Sequence, residues 1–268
     1  MVHGRPGRCR SGGRPAPAAP AAAAPPAQTP PDNAPGRISR EELYAQVMDT
    51  TRLSWVYVAM VVLSAIVAAI GILHDSVAVV IGAMVIAPLL GPNVALSLAT
   101  TLADAPLART ALRAGALGIT VAFGLSVVIG LLVTVNPAAH EIASRTTVGM
   151  ADVAVALAAG SAGALAFTTG VPSTLVGVMV AVALLPPLVT FGLLVGAGFD
   201  RPAFGALLLV VMNLVGVNLA GVATFVAQGI RPASWWEADR ARRATLIALG
   251  VWLALLVVLV VVIGLSAK

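Results

Sequence analysis

The chain has 268 residues, of which 59% are hydrophobic and 10% are charged. Because ordinary soluble domains carry about 25% charged residues, this composition excludes a soluble globular protein and predicts an integral membrane protein. The formal net charge is +5, but no aromatic residues are interleaved with the basic ones as in a single-strand binding surface, so we expect no nucleic-acid partner.

The first fifty residues divide into a tail and a short helix. Residues 1–36 are rich in Pro, Ala, Gly and Arg, a composition that cannot bury a core and predicts a disordered cytoplasmic tail. In residues 37–52, Ser39 stands three residues before Glu42, which is a capping-box pattern, and apolar residues follow at helical spacing. This segment predicts an amphipathic helix at the membrane interface.

Apolar stretches of about 20 residues, the length that crosses a bilayer as a helix, follow from Leu53 onward. They lack the polar and apolar alternation of barrel strands, so an all-α polytopic membrane protein is predicted. A basic cytoplasmic loop, 230–245, precedes the last stretch. The seven predicted spans are 53–73, 76–100, 115–135, 150–169, 173–198, 203–229 and 246–266.

The Lys and Arg residues predict the orientation of these spans. With a cytoplasmic N-terminus, thirteen of the sixteen Lys and Arg residues lie inside, and three, Arg145, Arg201 and Lys268, lie outside. The positive-inside rule therefore predicts a cytoplasmic N-terminus and a periplasmic or extracellular C-terminus.

A sequence motif occurs twice. Residues 81–94 (IGAMVIAPLLGPNV) and 176–189 (VGVMVAVALLPPLV) lie 95 positions apart and are identical at seven of fourteen positions. This predicts an internal duplication of three-helix repeats, 53–135 and 150–229, with the helix at 246–266 added outside the symmetry. Because each repeat has an odd number of spans, the second repeat is inverted relative to the first.

Prolines near the middle of the second and fifth spans predict two broken helices. Proline lacks the backbone donor and clashes with the preceding turn, and paired Gly/Pro-broken apolar segments point to the binding site of a secondary transporter. The alternative is a pair of kinked helices that matter only for packing, with the amides joining helices. The candidate solute or ion pathway comprises Gly82, Met84, Pro88, Gly91, Pro92, Asn93, Gly177, Met179, Pro186, Pro187, Thr190, Asn213 and Asn218.

The sequence gives no indication of catalysis. No Ser/His, paired-Asp or HExxH constellation lies in the predicted spans, so no enzyme is expected. Cys9, the single cysteine, cannot form an internal disulfide or a cysteine metal cluster. We expect no metal site and no cofactor.

The motifs IGAMVIAPLLGP and PSTLVGVMVAVALLPPL resemble the paired signatures of the bacterial membrane family catalogued as domain of unknown function 389. The resemblance covers about residues 45–266 and implies a multi-pass inner-membrane protein. One departure is that Ala183 stands where the first motif has Pro88, so the two breaks need not share one geometry.

These observations leave two hypotheses for function. The first is a transporter-like or channel-like protein of the bacterial inner membrane that moves a small solute or ion through a midplane site between the broken helices. The second is a non-transporting scaffold or regulatory oligomer. The expected partners are the lipid bilayer, a small solute or ion, and further copies of the chain, with a dimer favoured.

Overall fold

The computed structural model describes Met1 and residues 39–169, 173–230 and 235–266, with side chains for all of these except 173–183, 235–245, 248 and 265–266. Apart from Met1, the predicted tail at residues 1–36 lies outside the described residues. Within the described ranges the chain forms ten helices. They are α1 (Arg40–Thr50), α2 (Trp55–Leu73), α3 (Val77–Ile86), α4 (Leu90–Leu102), α5 (Ala105–Leu132), α6 (His140–Ala143), α7 (Met150–Thr169), α8 (Ser173–Gly196), α9 (Asp200–Ala227) and α10 (Trp235–Ser266).

Helix α1 begins as the capping pattern predicts, and two residues of its apolar face are buried. The Ser39 hydroxyl accepts a hydrogen bond from the Glu42 N–H at 3.2 Å. Leu43 and Val47 are buried in an apolar cluster with residues of α4 and α5. Protein therefore covers these two side chains, and the position of α1 at a membrane interface stays a prediction.

The first motif contains a true helix break. Helices α3 and α4 are bent by 56° relative to each other, and Ala87 between them is extended, with ψ 121°. Residues that precede proline avoid the helical region, so Pro88 accounts for the break. Pro92 lies in the first turn of α4, where its missing N–H has no helical partner to lose.

The second motif lies in an unbroken helix. Helix α8 continues through Pro186 and Pro187 without interruption. The prediction of a second broken helix is therefore wrong. The difference has a local cause: Ala183 occupies the position that corresponds to Pro88, and no residue there is forced out of the helical region. Membrane helices tolerate internal prolines where neighbouring helices cover the freed carbonyls, and both prolines are buried.

Two predicted links are partly helical. Asp104 caps α5 by accepting a hydrogen bond from the Leu107 N–H at 2.9 Å, so α5 begins ten residues before its predicted start at 115. Helix α10 begins at Trp235, so most of the predicted loop at 230–245 is helical. Capping by Asp104 extends α5 beyond the apolar stretch that predicted it.

Several helices have the length and apolarity of membrane spans. Among the described residues, α2, α5, α7 and α9 are each long and apolar enough to cross a bilayer, and the bent pair α3–α4 makes a fifth candidate. The described apolar parts of α8 and α10, Leu184–Gly196 and Leu249–Gly264, are shorter. The fold is thus all-helical and of membrane type, with four or five candidate spans in the described part.

The helix bounds recur along the chain with the spacing of the two motifs. Adding 95 to the bounds of α5 gives 200 and 227, which are the bounds of α9. Adding 95 to the bounds of α2 gives 150 and 168, within one residue of those of α7. The bent pair α3–α4, shifted in the same way, covers 172–197 and matches α8 within one residue at each end. The repetition seen in the sequence therefore extends to the secondary structure.

Candidate functional site

A cavity of about 160 Å³ lies between α4, α5, α8 and α9. The first motif lines it with Leu89, Pro92 and Asn93, and the second with Leu184 and Leu188. The latter two flank Pro186 and Pro187 in sequence. The two motifs, 95 residues apart, therefore meet at one cavity within a single chain.

Corresponding positions of the two repeats line the cavity together. Eight of its thirteen lining residues form four pairs that are 95 positions apart: Leu89 with Leu184, Asn93 with Leu188, Gly115 with Val210, and Ile119 with Leu214. If a twofold axis related the two repeats, equivalent residues would approach each other around that axis. The cavity thus marks the meeting point of the repeats.

The wall of the cavity is apolar except at one side chain. Among its described lining residues, Asn93 carries the one polar side chain. Its amide donates to the Leu89 carbonyl at 2.8 Å, and its Oδ1 accepts from Asn218 at 3.2 Å. The polar capacity that remains free for a ligand is therefore small.

Asn93, Ser97 and Asn218 form a buried hydrogen-bond network between α4 and α9. The Ser97 hydroxyl is 3.2 Å from Asn218 Oδ1 and 3.1 Å from the Asn93 carbonyl. The Asn218 amide also donates to the Leu214 carbonyl at 2.8 Å. Asn218 and Asn93, both candidates for the pathway, thus contact each other, and their polar groups join two helices. Sequence reasoning missed Ser97, although it stands four residues after Asn93 and so on the same helix face.

The packing of α8 on α5 repeats the packing of α4 on α9 with the residue types exchanged. A Cβ atom on Gly221 would lie 2.6 Å from the Ser97 hydroxyl, and a Cβ atom on Gly192 would lie 2.5 Å from Ser126 Cβ. Gly192 is 95 positions after Ser97, and Gly221 is 95 positions after Ser126. These two contacts between the halves are therefore counterparts in which serine and glycine have changed places.

Other predicted site residues lie away from the cavity wall. Gly82 is exposed, with no atom within 4 Å of where its Cβ would stand. Met84 is 4% exposed and packs in an apolar cluster with residues of α2 and α8. Pro88 is partly exposed at the bend. These residues therefore shape or flank the break without lining the cavity.

The remaining candidates lie on α8 and α9. Pro186 and Pro187 are buried next to the lining residues of α8, and Asn213 is buried on α9 at 5% exposure. Thr190 is fully buried, and its hydroxyl has no hydrogen-bond partner among the described residues. The side chains of Gly177 and Met179 lie outside the described residues.

Helix α1 contacts the first turn of α4. A Cβ on Gly91 would lie 2.6 Å from Thr50 Cβ, so only glycine allows this approach. At the other end of α4, the Tyr44 hydroxyl donates to Asp104 Oδ2 at 3.0 Å. Burial raises the pKa of Tyr44, and the hydrogen bond to Asp104 and the charge of that carboxylate raise it further.

No group of three or more His, Cys, Asp or Glu side chains in the described part of the chain has the arrangement of a metal site.

The described part of the chain is thus all-helical, with apolar helices compatible with a membrane protein and helix bounds that recur 95 positions apart. The chain belongs to the family described as Domain of unknown function (DUF389), whose profile matches residues 84–219. That range covers most of the first motif and the whole of the second, and it confirms the family resemblance seen in the sequence.

A relative outside the bacteria extends this result. An uncharacterised protein of the archaeon Methanocaldococcus jannaschii is 42% identical over 229 residues, which are 85% of this chain and 72% of the relative. The description of the family as bacterial is therefore too narrow. No solved structure matches the chain.

Proposed function

We propose that this protein is transporter-like or channel-like, and that a small solute or ion crosses the membrane through the cavity between the two motifs. The observation that carries the proposal is the set of four residue pairs, 95 positions apart, that line this cavity. Secondary transporters with internal repeats bind their solutes at the repeat interface near the bilayer midplane. The proposal includes no catalysed reaction and no cofactor.

The proposed topology has seven spans, arranged as a 3+3 inverted repeat followed by α10. Its support is the recurrence of helix bounds and the length of α8 and α10. Helices α8 and α10 have 24 and 32 residues, or about 36 and 48 Å at 1.5 Å per residue, which exceeds a hydrocarbon core of about 30 Å. The chain would lie in a bacterial inner membrane, as a dimer, with its N-terminus in the cytoplasm.

Cysteine labelling tests this topology. Ala103 and Ala138 are exposed and stand at successive helix ends, one before and one after α5. With Cys9 replaced by Ser, Ala103→Cys should react with a membrane-impermeant maleimide only from the cytoplasmic side, and Ala138→Cys only from the outside. Labelling of both cysteines from the same side would contradict the inverted repeat.

Solute flux through proteoliposomes tests the function. Gly115 lines the cavity, whereas Gly124 on the same helix has open space around its Cβ direction. Vesicles should show flux of a member of a panel of Na⁺, K⁺ and small neutral solutes with the wild type and Gly124→Leu, and lose it with Gly115→Leu. Flux no faster than in empty vesicles for every solute, or equal flux in both variants, would contradict transport through this cavity.

The scaffold hypothesis has its own supporting observation. The Asn93, Ser97 and Asn218 side chains bond to one another and to nearby carbonyls, which is how amides commonly join membrane helices. On this hypothesis Gly115→Leu changes the oligomer distribution and no flux exists to lose. Mass photometry of the two leucine variants, next to the flux assay, separates the hypotheses.

A further inference from the structure

The cavity has an opening on the outer face of α5. Two of its lining side chains are exposed: Leu112, at 54%, and Ala116. The lining residues from the two motifs, by contrast, are buried. The cavity therefore extends from the buried motifs to the surface of α5.

The position of this opening along α5 determines what it faces. Leu112 and Ala116 stand about two and three turns after the start of α5, or roughly 10 to 17 Å along a helix of about 42 Å. With the predicted span at 115–135 and Arg113 just before it, Ala116 lies inside the hydrocarbon layer and Leu112 at its edge, so the opening faces the edge of that layer. A molecule that enters here comes from the lipid phase.

The size and lining of the cavity select an apolar occupant. An apolar cavity of about 150 Å³ stays dry and takes up benzene or xenon, and this cavity measures about 160 Å³. An ion that enters loses its hydration shell, a large cost, and the one polar lining side chain, Asn93, already bonds to Leu89 and Asn218. The wall of the cavity therefore offers few polar groups that could replace the hydration shell of an ion.

We infer that the cavity binds a small apolar molecule of about the size of benzene, which enters from the hydrocarbon layer between Leu112 and Ala116. The inference rests on the proposed function, since it names the class of solute that the same cavity takes. The end of a lipid acyl chain has the same apolar chemistry as such a molecule. We assign a free small molecule, because the volume of the cavity matches one compact molecule.

The test uses the purified full chain and two probes, benzene and iodobenzene. Gly115→Leu places a side chain in the cavity: a Cβ at Gly115 meets only Pro92 Cβ, at 3.6 Å, an ordinary contact. Gly124→Leu makes the same exchange on the same helix, where no atom lies within 4 Å. Gly115→Ala is a milder second variant that fills the cavity by one methyl group and keeps the test informative if the leucine variant does not fold.

Benzene should raise the Tm of the wild type and of Gly124→Leu. Its affinity should fall at least tenfold in Gly115→Leu and by a smaller factor in Gly115→Ala. In crystals, the anomalous signal of iodobenzene should lie between Leu112, Leu184 and Asn93. Equal benzene shifts in the Gly115 and Gly124 variants would overturn the inference, as would stabilisation by NaCl or KCl without any by benzene, or density in the cavity that continues into a lipid headgroup.

The two proposals fail in different ways. Benzene binding that Gly115→Leu removes, together with vesicles that pass no solute, contradicts transport and leaves the apolar site standing. Flux of Na⁺ or K⁺ that Gly115→Leu removes, without a benzene shift, contradicts the apolar site and leaves transport standing.

Discussion

Asn218 is the residue that holds α4 and α9 together. It is fully buried, donates to Asn93 Oδ1 and accepts from the Ser97 hydroxyl. Removing its amide leaves two buried polar groups with fewer partners, and an unsatisfied buried group costs about 1–3 kcal/mol.

Asn218→Leu should therefore lower the free energy of unfolding by about 1–3 kcal/mol, measured by denaturation in mixed micelles. The matched control is Thr224→Val on the same helix, because the Thr224 hydroxyl donates to the Ala220 carbonyl of its own helix at 2.8 Å. Its loss should change stability much less. An equal effect of the two substitutions would show that the network adds nothing.

The phenol of Tyr44 predicts a pH effect on the contact between α1 and α5. Burial, followed by the hydrogen bond and charge of Asp104, raises the pKa of Tyr44. A raised folded-state pKa means that the stabilisation is complete below the unfolded value of about 10 and is lost as pH rises through the folded value. Tm measured from about pH 8 to 11 should fall more steeply for the wild type than for Tyr44→Phe. Parallel curves would contradict a role for this hydroxyl.

At single residues, the sequence was a good guide to polar positions and a poor guide to their partners. Asn93 and Asn218 stand out because amides are costly in apolar spans, and the structure brings the two together. Ser97 does not stand out, since a membrane hydroxyl can bond to its own helix. Gly82 is exposed although the same residue type stands at the corresponding position of the second motif. Identity between the two motifs can reflect common origin and need not mark a contact.

Among the helices, the bend between α3 and α4 depends on one proline. Ala87 is extended and precedes Pro88, whereas Pro92 lies in the first turn of α4. Pro88→Ala removes the restriction on Ala87 and restores an N–H that can continue the helix. Pro92→Ala restores an N–H at a position that has no helical acceptor.

Pro88→Ala should therefore straighten the pair, and Pro92→Ala should not. Spin labels on cysteines at Val77 and Ala103, both exposed and introduced with Cys9 replaced by Ser, report the end-to-end distance. For helices of 10 and 13 residues bent by 56°, straightening lengthens this distance by roughly 4 Å. An increase in the Pro92 variant alone would contradict the assignment of the break to Pro88.

The long helices, the break at Pro88 and the start of α1 could be predicted from the sequence, whereas the continuity of α8 and the starts of α5 and α10 could not. Proline occurs in both motifs, but a break needs a residue before the proline that leaves the helical region, and Leu185 before Pro186 stays helical. The starts of α5 and α10 lie in polar sequence, where hydropathy gives no signal. The cavity forms where four helices meet, and a local sequence pattern does not predict which helices pack together.

At the scale of the whole molecule, two contacts between the halves are related by the spacing of the two motifs. Ser97 packs on Gly221, and 95 positions further along, Gly192 packs on Ser126. Both glycines are needed for close approach, since a Cβ on Gly192 would also lie 2.9 Å from the Phe123 carbonyl.

Gly192→Ala and Gly221→Ala should each lower the free energy of unfolding by about 1–3 kcal/mol, the usual cost of overpacking. Gly82→Ala is the control: nothing lies within 4 Å of its Cβ position, and the exchange inside α3 should raise stability by up to about 1 kcal/mol. The measurement is denaturation in mixed micelles. Loss of stability in one glycine variant but not the other would show that the two contacts are not equivalent.

The burial of α1 against α4 has a consequence for biosynthesis. Leu43 and Val47 find their apolar neighbours near Leu98 and Leu102, roughly 60 residues later in the chain. At about 5–20 residues per second, the ribosome needs roughly 3–12 s to supply them. During that interval the headgroup layer is the nearest place where an amphipathic helix can shelter its apolar face. The interface that the sequence predicts for α1 would then shelter Leu43 and Val47 until α4 is available to cover them.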